Sequence, residues 1–280
     1  MSDRSFSRFD EIGYWSEIKL EILKEYAKAY CVILSKHRFQ FSYIDGFSGP
    51  GSSLSETSGE LIPGSPLNAI RIRPAFSSVF LVDLDGDKVD QLRSNPELYG
   101  RTDVTILEGN CNEVLLKDVF PLLRYEDFRR GLCVLDPYGL HLDWRVIETA
   151  GRMRSIDLFI NFPIMDMNRN VLRRKPETVS PKDAARMTTF WGDESWRDAA
   201  YEWSTDLFGE EVISKKSNDD VVDAFRDRLR TDGGFPHVPD PIPMRNNRNA
   251  VVYYLMFASQ KENASKIAGD IFSKYRNRMY

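Results

Sequence analysis

Four polar residues stand at the ends of short apolar runs, each in a setting where it could touch a ligand. Asp45 follows Phe39 to Ile44, Asp83 follows Ser78 to Val82, Asp136 follows Leu132 to Leu135, and Asn110 lies just past Val104 to Leu107. Carboxylates and carboxamides so placed can accept hydrogen bonds from hydroxyl and amino groups of a bound molecule. Glycines surround them: Gly46, Gly49 and Gly51 after the first run, Gly109 after the third, Gly139 after the fourth. Glycine lets backbone approach a ligand closely and adopt positive φ.

The first of these ends reads Tyr43-Ile44-Asp45-Gly46-Phe47-Ser48-Gly49-Pro50-Gly51. It departs from the G-x-G-x-x-G loop that cradles phosphates. A DG-x-x-GPG order better suits the adenosyl and amino-acid end of S-adenosylmethionine (SAM), which carries no phosphate; the plainer alternative is a turn. At the second end, Asp83 is placed to accept from ribose hydroxyls, although it lies 38 residues beyond Asp45 rather than the usual ~20. Its alternative is to cap a helix, as Asp85 and Asp87 follow. At the third end, which reads Glu108-Gly109-Asn110, Asn110 would face an adenine amino group or cap the next helix. The fourth end, Asp136-Pro137-Tyr138-Gly139, resembles the D/N-P-P-Y/F motif with which amino methyltransferases hold a target amine, but is one proline short. Asp136 would accept from the amine, Pro137 would stiffen the turn and aim its carbonyl, and Tyr138 would stack on a flipped or unpaired base. Asn161-Phe162-Pro163 ends a fifth run and reads as a pocket wall. His37, His141 and His237 are isolated and read as solvated or capping residues.

The elements needed to position these ends follow from periodicity. Trp15 to Ser35 repeats apolar residues at helical spacing. Ser65 to Ile72 forms a helix opened by an N-cap Ser65 and by Pro66, and Ser65 joins the cofactor contacts below. Asp87 to Arg93, Asn112 to Leu123 and Trp144 to Arg152 alternate as helices with the apolar runs. Near-continuous apolar strands alternating with helices predict a mostly parallel, doubly wound α/β sheet. Residues 166–244 change character, with helices expected at Pro181 to Phe190 and Ser195 to Phe208 and a proline-rich stretch at Pro236 to Pro243. They read as a mainly helical insertion or lid in a core of residues 1–165 and 245–280. Ala250 to Phe257 returns to strand, and Ala264 to Tyr275 closes the chain as a helix.

Composition narrows the class. A net charge of −4 gives no global case for nucleic acid. A local basic surface is available in the insertion: Arg169, Arg173, Arg174, Lys175, Lys182 and Arg186, with Arg245, Arg248, Lys274, Arg276 and Arg278 late in the chain. Such a cluster could follow a phosphate backbone or form a solvated face, since Glu177, Asp183, Asp193 and Glu194 are interspersed. Cys31, Cys111 and Cys133 are too dispersed for a zinc or iron–sulfur site, so no metal is expected. The first fifteen residues have no apolar signal-peptide core and no run reaches membrane-spanning length, which predicts a cytoplasmic protein.

Taken together, YIDGFSGPG at Tyr43 to Gly51, PGSPLNAI at Pro63 to Ile70, FLVDLD at Phe80 to Asp85, GLCVLDPYGL at Gly131 to Leu140, NFP at Asn161 to Pro163 and VVYYLMFAS at Val251 to Ser259 resemble the three-Cys-motif partner protein family (TcmP) over nearly the whole chain. The first half also resembles bacterial methyltransferases that modify adenine N6 in 23S ribosomal RNA. These resemblances imply a Rossmann-like class I SAM-dependent methyltransferase fold, SAM as cofactor, and a separate radical-SAM-like partner protein carrying three cysteines. They imply Ser65, Asp83, Gly109, Asn110 and Asp136 as contacts. Phe47 stands where the ribosomal RNA enzymes place a histidine. Two activities follow as expectations: methyl transfer to an amine, such as one on a nucleobase, or a non-catalytic SAM-binding subunit acting through the partner. A nuclease is disfavoured because no metal-binding carboxylate motif is visible.

Overall fold

The computed structural model describes residues 11–205, 211–246 and 248–276. Five apolar runs become the parallel strands β1 (Gln40–Asp45), β2 (Ser78–Asp83), β3 (Val104–Glu108), β4 (Arg129–Leu135) and β5 (Ile156–Phe162). With β6 (Ile242–Arg245) and β7 (Val251–Ala258) they form one seven-stranded sheet of order β6-β7-β5-β4-β1-β2-β3. β7 runs antiparallel to both its neighbours, β5 and β6. The chain starts in the middle of the sheet, walks out to β3 and returns to β4, so the strand order reverses between β1 and β4, where doubly wound folds bind ligands. This order, with its single reversed strand, is that of the Rossmann-like methyltransferase fold.

Ten α-helices lie among the described residues: α1 (Tyr14–Leu34), α2 (Ser65–Arg71), α3 (Gly86–Ser94), α4 (Cys111–Val114), α5 (Trp144–Met153), α6 (Ile164–Asn170), α7 (Pro181–Trp191), α8 (Trp196–Ala200), α9 (Asn218–Thr231) and α10 (Glu262–Arg276). Two apolar clusters sandwich the sheet. One joins α1, α2 and α10 through Ile22, Tyr26, Leu67 and Phe272 to Tyr43, Leu81 and Phe257 of the strands. The other joins α5, α7 and α9 to the opposite face. There the Phe225 ring centroid lies 4.7 Å from that of Phe162, 5.5 Å from Phe190 and 5.9 Å from Trp144, stacked on Phe190 and edge-on to Trp144. Side chains of residues 166–244 thus pack into the same core as the sheet. No described helix is long and apolar enough to cross a membrane.

Three local expectations are corrected. The helix expected at Ser195 to Phe208 stops at Ala200, and Tyr201–Thr205 pairs as a strand with Glu211–Lys215; residues 206–208 lie outside the described residues, as do residues 1–10 and Arg278. Aromatic and β-hydroxyl residues in Tyr201-Glu202-Trp203-Ser204-Thr205 suit a pleated ladder once a partner strand is present. The helix expected at Asn112 to Leu123 is α4 followed by a π turn (Leu115–Val119) and a 3-10 turn (Phe120–Leu122), where Pro121 has no N–H to continue an α-helix. The proline-rich stretch runs into β6, an edge strand, the position at which a sheet tolerates proline. The loop after β1 also holds short strands, Ser52–Ser55 and Leu61–Pro63, which pair with each other, and Ser52–Ser55 pairs on its other side with Glu11–Ile12.

Candidate active site

A cavity of about 440 Å³ opens at the carboxyl ends of β1, β2, β4 and β5, closed from the sides by α1, α6 and β7. The loop after β1 forms one wall. Asp45 does not reach it: only 1% exposed, its carboxylate accepts from the Ser65 hydroxyl at 2.5 Å and from the Phe47 N–H at 3.2 Å. It therefore fastens the glycine loop to the start of α2. Burial lifts the Asp45 pKa to about 6, against the pull of those two hydrogen bonds and of Lys19, and the nearby Asp136 charge adds to the rise. Gly46 also lies beneath the wall, where a Cβ would sit 2.7 Å from Cys111 Sγ. Phe47, Gly49, Gly51 and Ser65 line the cavity, and Gly49 (φ +62) and Gly51 (φ +90) take left-handed backbone that favours glycine.

Asp83 lines the cavity at the end of β2. Its carboxylate accepts from the Gly49 N–H at 2.7 Å and the Asp85 N–H at 3.0 Å, and an ionised carboxylate has about four lone-pair sites, so acceptor capacity remains. Gly109 and Asn110 lie away from the cavity wall. The Gly109 N–H bonds the Asp83 carbonyl, and the Asn110 carboxamide caps α4 by accepting from the Asn112 N–H at 3.0 Å.

Asp136, Pro137, Tyr138 and Gly139 all line the cavity. Tyr138 is 74% exposed at the rim, with Lys88 Nζ 5.6 Å from its ring centroid. Asp136 is the most tightly held. Asn161 at the end of β5 donates its Nδ2–H to Asp136 Oδ1 at 2.7 Å, and the Lys19 ammonium of α1 ion-pairs with Oδ2. Burial alone would pull the Lys19 pKa down; the Asp136 charge and hydrogen bond, with Tyr253 and Asp45 further off, overcome it and hold the ammonium above its ordinary range. Lys19 was not singled out from sequence. Its signal was present, since Trp15, Ile18, Lys19, Ile22 and Tyr26 share one stripe of α1, where a charged residue needs a buried partner.

Among the residues that line the cavity, Asn161 Oδ1 and Asp166 Oδ2 are buried without a hydrogen-bond partner, and the Tyr253 hydroxyl is buried beside Ser16. Of the basic insertion residues, Arg169 lines the cavity, while Arg186 is paired with Asp183 at 3.5 Å. Among the described residues, no group of three or more His, Cys, Asp and Glu side chains could hold a metal ion. The three cysteines are buried, and burial pushes the Cys31 thiol up to about 12.

No known family model and no curated protein sequence matches the chain. Among solved structures, it is similar to protein LPL1258 from Legionella pneumophila, a member of the DUF519 family model, at 11% identity and a TM-score of 0.48 over 92% of both chains. It is also similar to the N-terminal domain of EvdMO1, crystallised in the presence of SAH and D-fucose, at 10% identity and a TM-score of 0.42 over 86% of this chain and 84% of that one. Both likenesses are remote, and the fold rests on the strand order itself.

Proposed function

We propose that the cavity binds SAM and presents its methyl group to an amine held at the Asp136-Pro137-Tyr138-Gly139 turn, the acceptor being a nucleobase or another small planar amine. The observation that carries this reading is the gathering of the β1 glycine loop, Asp83 and Asp136 around one cavity at the topological switch point. The residues fit the cofactor. Gly49 and Gly51 give close backbone approach, and Asp83 keeps lone pairs for ribose hydroxyls. Bound there, SAM would supply the activated methyl group. The chain's part is to bind, orient and exclude water, and such positioning can account for much of a methyl-transfer acceleration.

The resemblance to three-Cys-motif partner proteins supports a second protein as the working partner, and Arg169 with the basic insertion supports a phosphate-bearing substrate. The Lys19–Asp136 ion pair favours a second reading, a SAM-binding accessory subunit, because it occupies the carboxylate that would otherwise receive the amine. Calorimetric titration with SAM tests the cofactor; absence of binding defeats both readings. Tritiated methyl transfer from SAM into total RNA, DNA and cell extract, with Asp136→Ala as control, separates them. Transfer lost in the variant supports catalysis, and no transfer by the wild type despite SAM binding supports the accessory role.

A further inference from the structure

We infer that the edge of the sheet opposite the cavity, where β1 and β4 begin, is a binding surface for single-stranded nucleic acid. It is independent of SAM binding at the cavity, which lies at the other end of the strands. Three segments meet at this edge: residues 36–40 between α1 and β1, residues 124–130 leading into β4, and residues 152–154 at the end of α5. They carry seven Lys and Arg residues against two Asp and Glu, in a chain whose net charge is −4. The excess is therefore local, which is the electrostatic footprint of a surface that meets phosphates. Arg124 reaches Asp127 at 3.9 Å and Arg152 reaches Glu148 at 2.5 Å; among the described residues Lys36, Arg38, Arg129, Arg130 and Arg154 have no ion-pair partner.

Charge alone would describe a solvated face. The rings set between the charges are a second observation. The His37 ring lies 5.8 Å from that of Phe39, the Arg130 guanidinium 4.5 Å from Phe39 and 3.9 Å from Tyr125, and the Arg154 guanidinium 6.0 Å from Tyr125. Rings and cations thus alternate in one continuous row. Phe128 joins it, 6.4 Å from Phe39 between centroids and 62% exposed. Its backbone is at φ +56, a region that a bulky residue adopts rarely and under strain. Hydrogen bonds fix that conformation from both sides: the Phe128 N–H donates to the Tyr125 carbonyl at 3.2 Å, and the Gln40 N–H donates to the Phe128 carbonyl at 3.2 Å. A strained turn therefore holds a large apolar ring out in water, beside arginines that no carboxylate neutralises.

Single strands are the ligand this combination fits. Their splayed bases stack on aromatic rings and guanidinium planes while their phosphates meet the cations. A duplex, with its bases stacked inside, would use the charges and leave the rings idle. An acidic protein segment would do the same. β1 is six residues long, which at ~3.3 Å per residue sets this surface about 20 Å from the cavity.

The test is fluorescence anisotropy with the full chain at about 50 and 200 mM salt. The labelled probes are an unstructured RNA of about 20 nucleotides, DNA of the same sequence, the blunt RNA duplex, and polyglutamate of similar length. A thermal melt confirms the fold of each variant. Phe128→Asn removes the ring and keeps a residue that tolerates left-handed backbone. Arg38→Gln with Arg154→Gln removes two exposed charges, and Arg174→Gln with Lys175→Gln removes two from residues 166–244. Single strands should bind more tightly than the duplex and the peptide, and Phe128→Asn should weaken them about fivefold or more. The Arg38 and Arg154 pair should lower the slope of log affinity against log salt by about 1.4, at about 0.7 per phosphate contact. The Arg174 and Lys175 pair should leave single-strand affinity within about twofold of wild type. Absence of binding by either strand at low salt, or a duplex or polyglutamate that binds as well as the single strands, overturns the inference. So does single-strand affinity that is unchanged in Phe128→Asn, or that is lost only in the Arg174 and Lys175 pair.

Discussion

Replacing Lys19 by methionine removes the ammonium and keeps an unbranched stem of similar length, so the main loss is the ion pair with Asp136. The Lys19 side chain is 12% exposed and that of Asp136 29%. Removing one member of a fully buried pair costs about 3–5 kcal/mol, because the other charge is left uncompensated. Asp136 would keep the Asn161 hydrogen bond and some access to water, which brings the expected cost of Lys19→Met to about 2–3 kcal/mol. Asp136→Asn strands the ammonium instead, at a similar cost of about 2–3 kcal/mol. In the double variant both charges are gone, so the loss should be no larger than for either single change, which corresponds to a coupling energy of at least about 2–3 kcal/mol. Urea unfolding followed by tryptophan fluorescence measures all four corners of the cycle. Each single variant should also melt about 5–10 °C lower, taking roughly 2–4 °C per kcal/mol for a domain of this size. Single effects that add to within about 0.5 kcal/mol would show that the pair is not energetically coupled, and the account of how Asp136 is held would be wrong.

Asp45 should leave a signature in the pH dependence of stability. Its folded pKa of about 6 lies above the ~3.9 of an unfolded aspartate. Between those values the native state holds a proton that the unfolded state has released, so stability falls as pH rises through that window. The advantage of wild type over Asp45→Asn should therefore shrink by about 2 kcal/mol from pH 4 to pH 7; a constant difference would show that this carboxyl is not desolvated. Arg154, exposed and at φ +60 where α5 ends, takes a conformation that glycine adopts without strain. Arg154→Gly is expected to raise the unfolding free energy by about 0.5–1 kcal/mol, and a loss in the same urea assay would contradict that reading of the cap.

Much of the sheet was legible because four of its five parallel strands are largely buried and all five read as mostly apolar runs ending in polar residues. Asp45, Asp83, Asp136 and Asn161 stand at or just past those ends, and the alternation with helices predicted their gathering at one edge of the sheet. Where the reading slipped, a local signal had two outcomes and a distant partner chose between them. Tyr201–Thr205 is a strand because Glu211–Lys215 pairs with it, and Ile242–Arg245 is a strand because β7 offers an edge on which Pro243 needs no donated hydrogen bond.

The site divides in the same way. The residue types at the strand ends, the glycines beside them and the missing proline at Asp136-Pro137-Tyr138-Gly139 are properties of the sequence alone, and so is the charged residue in the apolar stripe of α1. Tertiary structure alone decided how they are used. It turned Asp45 inward to brace the loop, set Asn110 to capping α4, and brought Lys19 to Asp136 across 117 residues. The reason is physical: a side chain's identity fixes which bonds it can make, whereas burial and the neighbours that arrive from other elements decide which of those bonds are already made.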